Sequence, residues 1–401
     1  MKRPPSIWCL SLSLGPMLVG TVATNPAAAV PQVVPVTKRT QVLVASAELA
    51  DRKYVAFPVL LRLNETELLV GYKRGDSHAQ DREADFELLH FNPVTQRVAP
   101  GKLTLRQPNL TLQNGEFVRF ANGDVACYLD IQSRGASSKG QTARRGLLEV
   151  RSTDGGRTIG EVGKLGVIDG VEYGYAFEAI TEGRDTWMLA MTFTNLTGGQ
   201  SVYPGRPVAG PVSVLRTKDN GKTWHHVKNL TREFGNLPIN ESSFVRHGDG
   251  FIVTTRGYDN HQWLHLTDGD FNLKRQIDLT HDYPEIRSHI GRPRLFMREG
   301  RLYLLGRNYT ATSNPQAESQ RDPKGGPMKL SLFRFDPDTL AITRHVILDN
   351  AEGKNVTDGY YAVPYWQERD GSTLFNVITY KRVGSGQPDI VRLEFDWSEV
   401  R

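Results

Sequence analysis

Acidic, basic and phenolic side chains recur in this chain at one kind of place, the edges of short apolar strands. Glu116, Glu241, Arg292 and the pair Tyr360-Tyr361 stand at strand starts, with Tyr173 to Tyr175 at another, and Arg74, Arg256 and Arg307 stand at the ends of such strands. A buried charge is costly unless it is paired, so a funnel of acids, arginines and tyrosines fits a wet binding site better than a packed core. Glu241 begins one strand and Arg256, fifteen residues on, ends the next, so a hairpin brings them to one rim. A surface salt bridge is the plainer alternative for that pair. A guanidinium grips a carboxylate bidentately, and a phenol attacks at neutral pH only beside a base. Neighbouring strand residues face opposite ways, so only one of Tyr360 and Tyr361 can serve such a site. The stretch Asp76-Ser-His78-Ala-Gln-Asp81 adds two carboxylates and an imidazole. Loop carboxylates are ordinarily just solvated; an imidazole exchanges protons near neutral pH, although an ordinary exposed histidine is the simpler reading of His78.

What must position these groups is a repeated unit: a polar or aromatic entry, a short apolar strand, a turn with glycine, and another strand. Helix-period stretches are scarce. Two turns set the ruler, Ser152-Thr-Asp-Gly-Gly-Arg-Thr158 and Thr217-Lys-Asp-Asn-Gly-Lys-Thr-Trp224. In each an aspartate can accept from backbone N–H groups two residues on, and a glycine supplies positive φ. Weaker echoes follow at Asn92-Pro-Val-Thr95, Thr267-Asp-Gly-Asp270 and Phe335-Asp-Pro-Asp338. Regular short strands at a long fixed period predict an all-β propeller. Six units begin near Tyr54, Glu116, Tyr173, Asn240, Ile290 and Asp358, so six blades are expected, with seven the alternative count. The strand Thr40–Val44 is left over and is expected to complete the last blade and close the ring.

The two turns resemble the Asp-box, or BNR repeat, of the sialidase superfamily, and the resemblance extends at low similarity over most of the chain after residue 29. It implies a sialidase-type propeller acting as a retaining exo-glycoside hydrolase. In that family a tyrosine attacks the anomeric carbon, a glutamate takes its proton, an aspartate serves as acid/base, and three arginines grip the substrate carboxylate. The tyrosine nucleophile is an exception to the two-carboxylate rule of glycosidases. Asn240-Glu241-Ser-Ser to Arg256 is similar to the family's glutamate-to-second-arginine segment, and Asp358-Gly-Tyr360-Tyr361 to its nucleophile strand. Tyr360 fits better by its preceding glycine, with Tyr361 the alternative. Asp81 falls where the family carries its acid/base, with Asp76 competing. The departure is at the first arginine, where the matching residues read Ala56-Phe57-Pro58. Lys73 or Arg74 is then expected to reach in, with Arg292 holding the equivalent position in the fifth blade, Arg307 or Arg321 standing for the third arginine, and His78 as a substrate contact or substitute proton carrier.

Three functions compete. The first is a hydrolase releasing an acidic or substituted terminal sugar from a glycan. The second is a propeller lyase on a uronate-containing polysaccharide, using His78 and a tyrosine as base and acid. The third is a glycan-binding propeller without catalysis, which the lost arginine favours. Fold alone does not choose among them.

The rest of the chain sets bounds. Lys2 and Arg3, the apolar stretch Ile7 to Val22 and Ala27-Ala28-Ala29 resemble an export signal at residues 1–29, leaving one propeller domain over 30–401, secreted or periplasmic. No other long apolar run suggests a membrane span. With Cys9 removed, Cys127 remains alone in a strand-like run and is expected to be a buried thiol. The net charge of +5 without a basic block argues against nucleic acid. Ten scattered histidines show no metal-ligand cluster, so neither metal nor cofactor is expected. A monomer binding a glycan or polysaccharide is expected. Seven Asn-x-Ser/Thr sequons occur, beginning with Asn64, Asn109 and Asn195.

Overall fold

The computed structural model describes residues 30–134, 142–204, 206, 208–309, 328–351, 354 and 356–401. The export signal expected at 1–29 and the candidate Arg321 lie outside the described residues. Two N-terminal strands come first, β1 (Gln32–Val33) and β2 (Arg39–Val44). Blade 1 contains β3 (Tyr54–Asn64), β4 (Glu67–Gly75), β5 (Asp85–Asn92) and β6 (Arg97–Val98), with β7 (Leu103–Leu105) also paired to β5. Blade 2 is β8 (Thr111–Arg119), β9 (Val125–Arg134), β10 (Thr142–Ser152) and β11 (Glu161–Lys164). A small hairpin, β12 (Val167–Ile168) and β13 (Val171–Glu172), leads to blade 3: β14 (Tyr175–Glu182), β15 (Asp185–Phe193), β16 (Ala209–Thr217) and β17 (His225–Asn229). Blade 4 follows with β18 (Ile239–His247), β19 (Gly250–Gly257), β20 (Gln262–Thr267) and β21 (Leu273–Asp278). Blade 5 is β22 (Gly291–Arg298), β23 (Arg301–Tyr309), β24 (Met328–Phe335) and β25 (Ile342–Asp349), with β1 added in parallel outside. Blade 6 is β26 (Val356–Arg369), β27 (Ser372–Val383) and β28 (Asp389–Asp396).

The fourth strand of blade 6 is β2, antiparallel to β28, so the expected Thr40–Val44 strand closes the ring. The first strands β3, β8, β14, β18, β22 and β26 touch in sequence and back to the start, forming the inner wall of a six-bladed β-propeller. Each pair of neighbouring blades buries its own apolar cluster. Phe244, Phe251 and Phe271 pack between blades 3 and 4, and Tyr303, Phe375 and Trp397 between blades 5 and 6. Because both faces of most strands are covered, they read as continuous apolar runs, each large buried side chain contributing about 1.5–3 kcal/mol. Cys127 is one of these core residues.

The turns that set the repeat join third to fourth strands. Asp154 Oδ1 accepts from the N–H groups of Arg157 and Thr158 at 2.9 Å, and Asp219 accepts likewise from Thr223. Asn92, Asp268 and Asp336 fill the same role at the degenerate turns. These turns lie at the opposite end of the blades from the inner-strand starts.

Candidate active site

All six inner strands share one irregularity near their starts. Each carries one residue more than its partner: between Ala56 and Val59, Gln113 and Glu116, Ala176 and Glu178, Ile239 and Ser242, Gly291 and Arg294, and Gly359 and Ala362. A bulge re-aims the side chains around it and breaks the in–out alternation. Phe57, Asn114, Arg292 and Tyr360 take positive φ there, 56°, 49°, 45° and 66°. Glu241 and Tyr361 both belong to such bulges. Arg74, Arg256 and Arg307 stand near the ends of the second strands β4, β19 and β23, beside those starts, so the expected hairpin does bring Arg256 to Glu241.

The bulge decides between the adjacent tyrosines. Tyr360, the better fit by its glycine, turns into the core between blades 5 and 6, and its hydroxyl donates to Asp349 Oδ2 at 3.1 Å. Tyr361, also buried, turns the other way, against Phe57 and Tyr380 in the cluster between blades 6 and 1. Its hydroxyl lies 3.0 Å from Arg256 Nη1, and the same nitrogen donates to Glu241 Oε2. Arg256 thus stands between phenol and carboxylate. Glu241 also accepts from the Tyr175 hydroxyl at 2.8 Å and from the Arg292 backbone N–H at 3.0 Å. Burial works against its charge, but Arg256, Arg292 and Tyr175 outweigh it and hold the carboxyl far below the usual range. Burial and the Glu241 charge push the Tyr361 phenol up, while Arg256 and Arg307 pull the other way.

Arg307 is the odd member. It is buried, its guanidinium sits 5.0 Å from the Tyr361 ring centre and 5.5 Å from that of Tyr309, and its Nε has no hydrogen-bond partner. Among the described residues it makes no ion pair. Gly291 makes room for it, since a Cβ there would meet Arg307 Nε at 2.6 Å. His289 lies close by, edge-on to Tyr309, and burial followed by the two arginines keeps its imidazole neutral well below the ordinary range. Arg144 flanks Tyr175 and Phe193 and pairs with Asp130; burial lowers its guanidinium to about 10.

Arg292, expected to bind substrate, points down the channel. Its Nη2 donates to Glu116 Oε2 at 3.0 Å, joining Arg294, which holds Glu116 at 2.7 Å and Glu178 at 2.8 Å. Two arginines and two glutamates neutralise one another there. They floor the channel, above a cavity of about 260 Å³ walled by Val59, Phe296 and Trp366. Arg74 is also spent elsewhere, on Glu87 and Asp51 at 2.9 and 2.6 Å, because alternation sends Lys73 rather than Arg74 toward the loop.

Asp81 is not a solvated loop acid. It is buried, 2.5 Å from Lys73 Nζ, and its Oδ1 accepts the N–H groups of Asp76 and Ser77. A carboxylate committed to a buried ammonium is in no position to protonate a leaving group. His78 is at the rim, its side chain 46% exposed, with Nδ1 facing Asp358. Next to Ala56, the residue at the expected arginine position, the phenyl ring of Phe57 lies 5.4 Å from the Tyr361 ring and 5.0 Å from that of His78.

The structure therefore brings Glu241, Arg256, Arg307 and Tyr361 together, with His78 across Phe57, and removes Tyr360, Asp81, Arg74 and Arg292. Sequence reasoning missed Asp358, His289, Tyr175's bond to Glu241, and Arg144. Asp358 stood within the motif around Tyr360; His289 and Arg144 carried no local signal. Among the described residues no three His, Cys, Asp or Glu side chains gather as a metal centre needs, and no helix is long and apolar enough to cross a membrane.

No protein-family model and no curated protein matches the chain. Solved structures do match. A Dyadobacter fermentans protein of unknown function aligns with a TM-score of 0.66 at 13% identity, over 90% of this chain and 98% of that one. The GH93 α-L-arabinofuranosidase of Fusarium graminearum, solved with arabinobiose, gives 0.58 at 11% identity over 90% and 99%. The sialidase of Trypanosoma rangeli, solved with sialic acid, gives 0.54 at 11% identity; this chain covers 60% of its length, with 93% of this chain aligned. The fold is that of a divergent sialidase-like propeller, and the sialidase and the arabinofuranosidase named here are glycoside hydrolases.

Proposed function

We propose that the chain is an exported, retaining exo-glycoside hydrolase that releases an acidic or otherwise substituted terminal sugar from a glycan. The observation that carries this reading is the rim cluster, in which Arg256 joins the Tyr361 hydroxyl to the Glu241 carboxylate beside Arg307, which makes no ion pair among the described residues. Tyr361 attacks the anomeric carbon, and Glu241, held ionised, is the base that receives the phenol proton once Arg256 turns from between them to the sugar's carboxylate. Arg307 and the free edge of Arg256 hold the sugar's carboxylate. A buried guanidinium without a partner is costly, and an anionic ligand supplies the partner.

The test is a panel of methylumbelliferyl sialosides, uronides and arabinofuranosides assayed with wild type, Tyr361→Phe and Tyr360→Phe. Tyr361→Phe is expected to lose activity by at least about 10³-fold, whereas Tyr360→Phe keeps it within a few-fold. Full activity in Tyr361→Phe sinks the mechanism.

The exposed His78 across Phe57 from Tyr361 favours a second reading, a uronate lyase with those two groups as base and acid. A product absorbing in the ultraviolet from a carbon–carbon double bond distinguishes it from hydrolysis.

A further inference from the structure

With Asp81 tied to Lys73, hydrolysis needs another group to exchange a proton with the glycosidic oxygen. One carboxylate near the rim has an unusual set of donors. Asp358 is buried at the start of β26; Tyr54 donates to its Oδ2 at 2.5 Å, Tyr380 to its Oδ1 at 3.0 Å, and His78 Nδ1 approaches both oxygens at 3.2 and 3.1 Å. Burial works against the charge, but the bonds from His78, Tyr54 and Tyr380 outweigh it and hold the carboxyl down at about 2.

These contacts fix the tautomer of His78. Around Nδ1 lie an ionised carboxylate and, at 2.9 Å, the oxygen of Tyr54, whose own proton is committed to Asp358. Every neighbour is an acceptor, so Nδ1 carries a proton in both states of the ring. Nε2 is then the nitrogen that gains and loses one, and among the described residues it has no partner. The ring stands edge-on to Phe57 at 5.0 Å, and Phe57 contacts Tyr361 on its other side.

The loop is built to hold the imidazole there. Lys73 Nζ donates to the carbonyls of Ser77 and His78, both at 2.9 Å, while Asp81 caps the N–H groups of Asp76 and Ser77. Gly75 leaves space for that carboxylate, since a Cβ would meet Asp81 Oδ1 at 2.8 Å. A buried ion pair thus holds a short surface loop whose half-exposed imidazole is turned by a second buried carboxylate.

We propose that His78, oriented by Asp358 and Tyr54, is the acid/base of the reaction, with Asp81 and Lys73 as positioning residues. This rests on the hydrolase reading above. In the first step Tyr361 oxygen bonds to the anomeric carbon, its proton passes to Glu241, and the glycosidic bond breaks as His78 Nε2 gives its proton to the leaving oxygen. In the second, water attacks the same carbon and gives a proton to His78 Nε2. The tyrosyl bond breaks and Tyr361 recovers its proton from Glu241. Asp358 from β26 and Tyr54 from β3 contact the ring; behind them Tyr380 of β27 acts on Asp358, Arg382 of β27 on Tyr54, and Asp76, Asp81 and Asp358 on Lys73 of β4, whose ammonium holds the loop.

Two readouts on the full chain test this. Aryl glycosides of the sugar that the panel identifies are compared across leaving groups. His78→Asn should lose about 10²–10⁴-fold with a poor leaving group and under about tenfold with dinitrophenol, which needs no proton. Equal losses with both would mean a structural role and overturn the proposal; loss only in Tyr361→Phe would leave the hydrolase reading standing without it. Independently of any substrate, ¹⁵N NMR of histidine-labelled protein, with His78→Asn for assignment, should show the neutral ring protonated at Nδ1, shifting toward Nε2–H in Asp358→Ala. A neutral ring protonated at Nε2 in the wild type would overturn it.

Discussion

Two clusters of arginine and glutamate sit one above the other in the same channel, and they differ in balance. In the floor, Glu116 and Glu178 meet Arg292 and Arg294, and every charge has an opposite at hydrogen-bond distance. At the rim, Glu241 meets Arg256 and is saturated, and Arg307 has, among the described residues, no ion pair and lies against aromatic faces. The residue types are the same and the strands are neighbours. In the reading proposed above, what separates a structural plug from a ligand site is the unmatched charge next to a polar group that can react. Charge type at a strand edge says little; charge closure says more.

That contrast can be broken from either side. The largest effect is expected in the floor: Glu116→Gln strands the buried Arg292 guanidinium, leaves Arg294 with Glu178 alone, and should destabilise the fold by about 3–5 kcal/mol in urea unfolding. KM on any cleaved glycoside should stay unchanged in the surviving folded protein. At the rim the pattern reverses. Arg307→Met should raise KM for a carboxylated sugar by about 10–100-fold, with stability unchanged or improved, because a buried unpaired charge is removed. If Arg307→Met destabilises as Glu116→Gln does, the two clusters are not different in kind.

Smaller effects sharpen the picture. The native Asp358 carboxyl titrates at about 2, below the ordinary unfolded value of about 3.9. The unfolded chain therefore binds more protons between those values, so this contribution, on the order of 2 kcal/mol, is complete above pH 4 and is lost as pH falls through 2. Asp358→Asn should flatten the wild-type loss of stability over that window, read as the difference between the two in urea midpoints. Smallest is Tyr360→Phe, which removes one hydrogen bond to Asp349 and should cost about 1 kcal/mol.

The propeller was legible because its signals are local and repeated. Apolar runs mark strands covered on both faces, and the aspartate turns mark the blade period; even Asn92, Asp268 and Asp336, where the pattern had decayed, keep the capping bond. Glu241 and Arg256 were legible for the same reason, since one hairpin joins them. The errors arise where a single extra residue overrides alternation. Tyr360 was favoured by its glycine, yet the bulge at Gly359–Ala362 turns it into the core and presents Tyr361. Asp81 departs from expectation because a carboxylate in a loop ordinarily meets water, whereas its partner Lys73 comes within reach only once β4 is in place. Arg292 looked like a ligand arginine until Glu116, from a strand three blades away along the chain, claimed it. Asp358 was in view beside the tyrosines, but its donors Tyr54, His78 and Tyr380 come from other strands and a loop, which no spacing reveals.

The central claim is that Tyr361 bonds to the sugar. The direct measurement is to trap the intermediate with an activated fluoro-sugar of the kind cleaved in the panel and to map the label by peptide mass spectrometry. The mass of the sugar is predicted on Tyr361, in the peptide that also contains Asp358. Its appearance on Glu241 or another carboxylate, or turnover with no covalent species and inverted stereochemistry, would contradict it.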